Sequence, residues 1–183
     1  EQVRRGDLGL SKSAYRSQLA ELMARFNSVA AANPYAMFDE AMTAAEIGEA
    51  SSSNRIMGDP HLKSMVAKDG VNQASALVLT RWDTAQTLGV ADRAIFLHGH
   101  GTGSEPQVLN RRAIGESEAM AAAYRNALAG AGIEAEQIGA VDLYSCFPIA
   151  VWVAMDALGM TLDDPRPLKL TGGLPFFGGP GNN

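Results

Sequence analysis

The fold is decided by the stretch Val141-Asp142-Leu143-Tyr144-Ser145-Cys146-Phe147-Pro148. Its apolar beginning predicts a short strand over 140–144, and the residues that follow it predict a helix over 148–158. Proline suits the first helical position because its missing amide hydrogen is not needed there. A strand that leads directly into a helix is typical of an α/β fold, in which ligands bind outside the carboxyl ends of the strands.

The same alternation of strands and helices extends toward the amino terminus. Two more short apolar runs predict strands over 74–80 and 93–97. Between 17 and 32, apolar residues recur at three- and four-residue steps, the spacing of an amphipathic helix. Further helices are predicted over 82–88 and 116–129. Strands separated by helices predict a mostly parallel sheet that is covered on both faces.

The region 33–70 is predicted to be a connecting segment. Asn33-Pro34 ends the first helix because the residue before a proline avoids helical geometry. Thr43 and Glu46 have the spacing of a capping box, which predicts a short helix there. The chain closes on Gly178-Gly179-Pro180-Gly181-Asn182-Asn183, a glycine-rich turn with no element after it, and this favours a piece of a longer protein.

The composition argues against several classes of function. The chain has 183 residues, is 46% hydrophobic and carries a formal net charge of -5. This acidic balance argues against nucleic-acid binding, which needs a basic face, and no apolar run is long enough to cross a membrane. Cys146 is the single cysteine, so no internal disulfide can form, and a cytoplasmic or other reducing compartment is expected.

Cys146 and Tyr144 are the candidate catalytic residues. The amino end of a helix carries free amide hydrogens and a partial positive charge, which favour an anion or a thiolate. A cysteine at that place tends to be more acidic than a free thiol. Cys146 is therefore a candidate nucleophile or proton carrier, and Tyr144 a candidate hydroxyl donor. The alternative is that both only pack, one as a small apolar residue and the other as an aromatic.

Two glycine-rich stretches give weaker signals. Dense glycine in 171–183 lets the backbone approach a ligand, and its amides could hold developing negative charge, although the spacing alone favours a plain turn. His98 and His100 lie in a second stretch, 98–103, where they alternate with glycines that mark a loop. No third ligand has a suitable spacing, so a solvated loop is predicted there and no metal site.

Four stretches in succession resemble the sterol-carrier-protein-type thiolases of the thiolase superfamily. The first is Asn33-Pro34-Tyr35-Ala36, after a long helix, and the second is Asp69-Gly70-Val71-Asn72-Gln73-Ala74-Ser75-Ala76, before an apolar run. The third, 142–147, stands where the family has a His-x-x-Phe loop. The fourth is Gly172-Gly173-Leu174 with Gly178-Gly179-Pro180, where the family has Gly-Gly and Gly-His-Pro. The resemblance implies half of a layered αβαβα arrangement with a mixed, mostly parallel sheet. In it, 1–70 would be the end of the amino-terminal half with a connecting segment, and 71–183 an incomplete carboxyl-terminal half.

The resemblance also implies site residues, with two departures from the family pattern. Tyr144 stands in place of a histidine that helps form an oxyanion hole. Gly179 stands in place of the histidine that activates the nucleophilic cysteine, a role that glycine cannot serve. Cys146 keeps a position that is linked to proton transfer. Substrate-binding residues are expected at Gly173, Gly178, Gly179 and Ser75.

The function implied by this resemblance is that of an acyl-CoA-handling acyltransferase of the acetyl-CoA C-acyltransferase type. Two alternatives stay open: a retro-aldol carbon–carbon lyase that acts on acyl-CoA through Tyr144, and a non-catalytic coenzyme A-binding or scaffold protein. No covalently bound cofactor is expected, because the coenzyme A thioester is the substrate. The protein is expected to be cytoplasmic, to act in lipid metabolism, and to form homo- or hetero-oligomers through its amino-terminal half. The isolated chain is expected to be inactive and poorly stable, because a central helix would expose an apolar face.

Overall fold

A computed structural model describes residues 1–179 of the chain, and helices predominate in this part. The α-helices are α1 Gln2–Asp7, α2 Lys12–Ala31, α3 Ala44–Gly48, α4 Trp82–Thr87, α5 Glu118–Ala131, α6 Pro148–Ala157 and α7 Gly173–Phe176. Short 3-10 turns lie at Lys63–Met65, Ala91–Arg93, Val108–Asn110 and Ala135–Gln137. Two short strands, β1 Ile56–Gly58 and β2 His61–Leu62, form an antiparallel pair. Every helix predicted from the sequence is present, with shifted ends, and none in the described part is long and apolar enough to cross a membrane.

Helix α2 is the centre of the packed region. Ser11 caps its first turn, where the hydroxyl oxygen accepts a hydrogen bond from the amide of Ala14 at 3.1 Å. This cap explains why the helix begins earlier than its hydrophobic periodicity predicts. Its buried side chains include Tyr15, Leu19, Leu22, Met23, Phe26 and Ala30. The apolar face of α2 is therefore covered by the rest of the chain.

The core forms where α3, α6 and α7 pack against α2. These helices, the β1–β2 hairpin and the 3-10 turn after it contribute buried side chains that include Ile47, Leu62, Met65, Val151, Met155 and Phe176. The capping box predicted for α3 is present: the Thr43 hydroxyl accepts the amide hydrogen of Glu46 at 3.2 Å, and the Glu46 carboxylate accepts that of Thr43 at 2.8 Å. Part of the region 33–70 thus belongs to the same core as α2.

The β1–β2 pair is the one sheet among residues 1–179. The predictions of strands over 74–80, 93–97 and 140–144 are wrong for this structure, and the mostly parallel sheet does not form within the described residues. A strand needs a neighbouring backbone to pair its amide and carbonyl groups. No such neighbour lies along 74–80 or 93–97 in the part of the chain that is described.

The apolar side chains of these two segments are exposed as a result. Leu77, Val78 and Leu79 are 78, 86 and 87% exposed, and Ile95 is 96% exposed. The expectation that a central helix would expose an apolar face is thereby corrected. The exposed apolar surface lies on unpaired segments, while α2 is packed.

The segment 140–144 is extended and partly paired. Two backbone hydrogen bonds tie it to 167–168, donated by the amides of Val141 at 3.0 Å and Leu143 at 3.1 Å. Its side chains alternate, with Leu143 buried and Tyr144 exposed, which is the two-residue period of a strand. The segment therefore delivers the residues that follow it to the start of α6, although it is not part of a sheet here.

Three alternate glycines pack directly on helix α5. A methyl group on any of them would collide with the helix backbone, and the facing pairs are Gly99 with Ala127, Gly101 with Ala123 and Gly103 with Ala119. Alternate residues of an extended chain are about 6.6 Å apart and helix residues four apart rise about 6 Å, so the two spacings match. The loop predicted over these glycines is a segment docked on the alanine face of α5.

Candidate active site

Cys146 lies at the junction between the extended segment 140–144 and α6. Phe147 occupies the position before the helix and Pro148 its first position. The Cys146 carbonyl accepts a hydrogen bond from the amide of Ala67 at 3.1 Å, which fixes the junction against the segment before residue 70. The cysteine is partly exposed. Its thiol therefore stands near the amino end of a ten-residue helix without being sealed in the core.

The glycine-rich turn packs against this junction. The buried Ser145 hydroxyl accepts a hydrogen bond from the amide of Leu174 at 3.0 Å. Lys68 bridges the same two regions, because its amide donates to the Leu174 carbonyl at 3.2 Å and its carbonyl accepts from the amide of Gly179 at 2.9 Å. The structure thus brings Cys146 and the candidate substrate-binding residue Gly173 into one cluster.

Each candidate glycine in this turn has a positive φ angle. The values are +74° at Gly173, +92° at Gly178 and +138° at Gly179. A methyl group at Gly173 would come within 2.7 Å of the Phe26 ring and 2.9 Å of the Ser145 hydroxyl, so that position has no room for a side chain. The amide of Gly179 is already paired with a carbonyl of the chain. This amide is therefore already used within the chain.

A cleft of about 400 Å³ opens beside Cys146. Its lining residues are Met57, Gly58, His61, Val66, Ala67, Asp69, Cys146 and Phe147. This volume lies within the range of small-molecule sites, and the wall combines apolar side chains with a thiol, an imidazole and a carboxylate. The cleft can therefore enclose an apolar group beside residues that exchange protons.

Tyr144 stands on the exposed side of the same junction and is 49% exposed. Its hydrogen bond with the Cys146 side chain raises the pKa of the Tyr144 phenol above its ordinary value. The phenol is therefore neutral near pH 7 and can donate its proton. Tyr144 is not among the residues that line the cleft, so only Cys146 of the two candidate catalytic residues lies in its wall.

The remaining candidates lie elsewhere. Ser75 is exposed in the unpaired region that follows residue 70, outside the residues that line the cleft. His98 and His100 are exposed on the segment that docks on α5. Among residues 1–179, no group of three or more histidine, cysteine, aspartate or glutamate side chains is placed to hold a metal ion.

Two residues of this region were missed by reasoning from the sequence. His61 lines the cleft, and its ring centroid lies 5.3 Å from that of Phe147. Lys68 donates to the Pro175 carbonyl, and its ammonium lies 4.6 Å from the Phe38 ring centroid. Burial and the charge of Lys63 lower the pKa of Lys68 to about 8. Both residues lie in the predicted connecting segment, where the local sequence gives no sign of a site.

The comparisons with known proteins agree with this architecture. No protein-family profile and no curated protein matches the chain. Among solved structures, it is similar to a monomeric SCP2-thiolase like protein type 1 from Mycobacterium smegmatis, with 46% sequence identity and a TM-score of 0.91. The match covers 98% of this chain and 40% of that protein's chain. The chain therefore has the thiolase-like fold of that protein and spans about 40% of its length. This similarity to the SCP2-thiolase-like type confirms the resemblance drawn from the sequence.

Proposed function

We propose that this chain forms the acyl-thioester-handling part of a thiolase-like acyltransferase, in which Cys146 carries a proton to and from the acyl group of an acyl-CoA. The observation that carries the proposal is the position of Cys146, at the start of α6 and in the wall of a cleft of about 400 Å³. The match to an SCP2-thiolase-like protein supports the class of protein. The substrate and the reaction are proposed from the site.

The proton transfer takes place at the carbon next to the thioester carbonyl. A thiolate that removes a proton from this carbon leaves an enolate, and the thiol returns the proton in the reverse direction. Helix α6 points its amino end at this place, and its partial positive charge favours the negative charge that forms there. Val66 and Phe147 give the cleft an apolar wall against which the acyl group can pack.

The glycine-rich turn holds the residue before Cys146 in place. A methyl group at Gly173 would lie 2.9 Å from the Ser145 hydroxyl. The turn can therefore pack this closely on Ser145 only because Gly173 has no side chain. This close packing fixes the distance between the turn and the residue that precedes Cys146. No residue of 171–179 lines the cleft itself, so the turn supports the site through Ser145, and a substrate contact at Gly178 and Gly179 rests on the family resemblance.

A retro-aldol lyase is the second candidate function. The exposure of Tyr144 and the raised pKa of its phenol favour this alternative, because a protonated phenol can donate to the oxygen of a leaving carbonyl compound. Gly179 stands where the family has a histidine, and glycine cannot act as a base. A non-catalytic coenzyme A-binding protein is therefore a third alternative. Turnover depends on Cys146 in the proposed acyltransferase and on Tyr144 in the lyase.

The test uses the full-length protein that contains this chain, in deuterated water with acetyl-CoA and with a longer acyl-CoA. Mass spectrometry follows the uptake of deuterium into the acyl group. Cys146→Ala is expected to slow this exchange by about 10²–10⁴-fold, the usual contribution of a general acid–base residue. Tyr144→Phe is expected to change it much less. Exchange that survives in Cys146→Ala contradicts the proposal, and loss of carbon–carbon cleavage in Tyr144→Phe alone supports the lyase.

A further inference from the structure

A chain of three polar side chains ends in the cleft and has no part in the function proposed above. The Tyr15 hydroxyl donates to one carboxylate oxygen of Glu1. The other carboxylate oxygen of Glu1 lies 3.0 Å from Nε2 of His61. His61 in turn lines the cleft that holds Cys146. The chain therefore runs from the core, at Tyr15 of α2, to the wall of the site.

These groups are too well buried to be a surface ion pair. The side chain of Glu1 is 7% exposed and that of His61 is 15% exposed, while Tyr15 is fully buried. A buried carboxylate requires hydrogen-bond partners, and Glu1 has one on each oxygen. The carboxylate is thus held in one orientation, and it holds the imidazole in turn.

The contact with Glu1 determines which nitrogen of His61 remains free to accept a proton. The carboxylate accepts the proton of Nε2, so Nδ1 keeps its lone pair in the neutral ring. A carboxylate that fixes a histidine in this way also stabilises the imidazolium that forms when Nδ1 takes up a proton. Packing of the His61 ring against Phe147, at 5.3 Å between centroids, places it beside the residue that follows Cys146.

We propose that His61, positioned by Glu1, is the base that exchanges a proton with the Cys146 thiol. The proton of the thiol moves to Nδ1 of His61, which leaves a thiolate and an imidazolium that faces the Glu1 carboxylate. The reverse step restores the neutral pair. This proposal deepens the proposed function, on which it rests for the use of Cys146. It supplies a histidine to a chain that has Tyr144 and Gly179 in place of the two histidines of the family pattern.

Other charged groups near His61 set the conditions of the exchange. Asp69 lines the same cleft as His61 and Cys146 and adds a second carboxylate to its wall. Arg16 donates to the carbonyl of Pro60 at 3.1 Å and pairs with Asp59, which places one guanidinium next to the hairpin turn. The titratable and charged groups around the Cys146–His61 pair therefore include the carboxylates of Glu1, Asp59 and Asp69, the cations Lys12 and Arg16, and the phenol of Tyr144.

The test is the rate at which iodoacetamide alkylates Cys146 in the full-length protein, followed on the peptide that carries Cys146. No acyl-CoA is present, so the result does not depend on the proposed reaction. Rates are compared from about pH 5.5 to about pH 9, across the range in which histidine and cysteine titrate. The variants are His61→Gln and Glu1→Gln, and the matched control is His100→Gln at an exposed histidine.

His61→Gln is expected to lower the alkylation rate near pH 6.5 by about tenfold or more and to move the profile to that of an ordinary thiol. Glu1→Gln is expected to give a smaller loss, and His100→Gln none. A His61→Gln profile that coincides with the wild-type profile overturns the proposal. Circular dichroism checks the fold of each variant. If His61→Gln is unfolded, the Glu1→Gln profile decides: a shifted profile supports the proposal and an unchanged one overturns it.

The two proposals fail in different ways. If Cys146→Ala abolishes deuterium uptake while His61→Gln leaves the alkylation profile unchanged, the proposed function stands and the role of His61 is wrong. If the alkylation profile depends on His61 while acyl-CoA exchange does not depend on Cys146, the pair exists and the proposed function is wrong.

Discussion

The hydroxyl of Ser145 accepts a hydrogen bond from the amide of Leu174 at 3.0 Å, across 29 positions of sequence. Ser145 is fully buried and immediately precedes Cys146. This one contact therefore sets the glycine-rich turn beside the cysteine. The candidate site depends on it, because the two segments approach each other at this point.

Ser145→Ala is expected to loosen the turn and destabilise the protein. The substitution leaves the partly buried amide of Leu174 without its acceptor, and the lost hydrogen bond costs about 0.5–1.5 kcal/mol in the free energy of unfolding. Urea denaturation of the full-length protein measures this loss, and Ser104→Ala, at an exposed serine, is the matched control. Equal stability of the two variants would show that the contact does not hold the turn.

Three glycine-to-alanine changes separate backbone strain from steric overlap. Gly139 has neither a positive φ angle nor a neighbour within 4 Å, and Gly159 has only the positive φ angle, +65°. Gly173 has both the angle and a neighbour at 2.7 Å. Gly139→Ala is expected to be nearly neutral and Gly159→Ala to cost about 1–2 kcal/mol from left-handed geometry. Gly173→Ala is expected to cost about 1–3 kcal/mol more from overpacking.

Thermal or urea unfolding of the three variants measures the order of their stabilities directly. A Gly173→Ala protein as stable as Gly159→Ala would mean that the turn does not pack on Phe26 and Ser145. In the same samples, acyl-CoA exchange is expected to fall only for Gly173→Ala, because only this glycine lies in the candidate site.

The ion pair between Asp164 and Arg166 makes the free energy of unfolding depend on pH in the acidic range. Its hydrogen bonds with the Arg166 guanidinium, at 2.6 and 2.9 Å, hold the pKa of the carboxyl at about 2. The pKa in the unfolded chain is about 3.9, so the contribution is complete above that value and is lost as the pH falls from about 4 to about 2. Asp164→Asn is expected to flatten this part of the stability curve. Asp163→Asn, at an exposed neighbour, should leave it unchanged; a curve unaltered by Asp164→Asn would contradict the ion pair.

The exposed apolar segments are expected to govern the behaviour of the isolated chain. Leu77, Val78 and Leu79 are exposed to 78% or more, and such a surface binds hydrophobic dyes and associates. We expect the 183-residue chain to bind such a dye, to lack acyl-CoA exchange, and to bind less dye when Val78 and Leu79 are replaced by serine. Leu8→Ser, at a residue that is 48% exposed and directly follows α1, is the control. A monomeric chain with a sharp melting transition and no dye binding would contradict this expectation.

The helices could be predicted from the sequence because their signals are local. The capping box at Thr43, the proline that begins α6 and the periodicity of α2 each act within one or two turns. Strand pairing is not local in this sense. The apolar pattern of 74–80 indicates a strand, but a strand forms only beside a second backbone, which the described part of this chain does not offer it.

The candidate site could be predicted only in part for the same reason. The order of motifs indicates that Cys146 and the glycine-rich turn share a site, and the structure places them in one cluster. The contact between Glu1 and His61 joins residues 60 positions apart, and no local pattern marks either of them. Hydrogen bonds over such a distance are set by the packing of the core, which a single sequence does not show.

The central claim is that the cleft beside Cys146 receives an acyl-CoA thioester. The most direct measurement is the alkylation rate of Cys146 in the full-length protein as acetyl-CoA, and then octanoyl-CoA, is raised to saturation. A bound thioester covers the thiol, so the rate is expected to fall with ligand concentration and to reach a low plateau, while free adenosine has no such effect. An alkylation rate that neither acyl-CoA changes would contradict the claim.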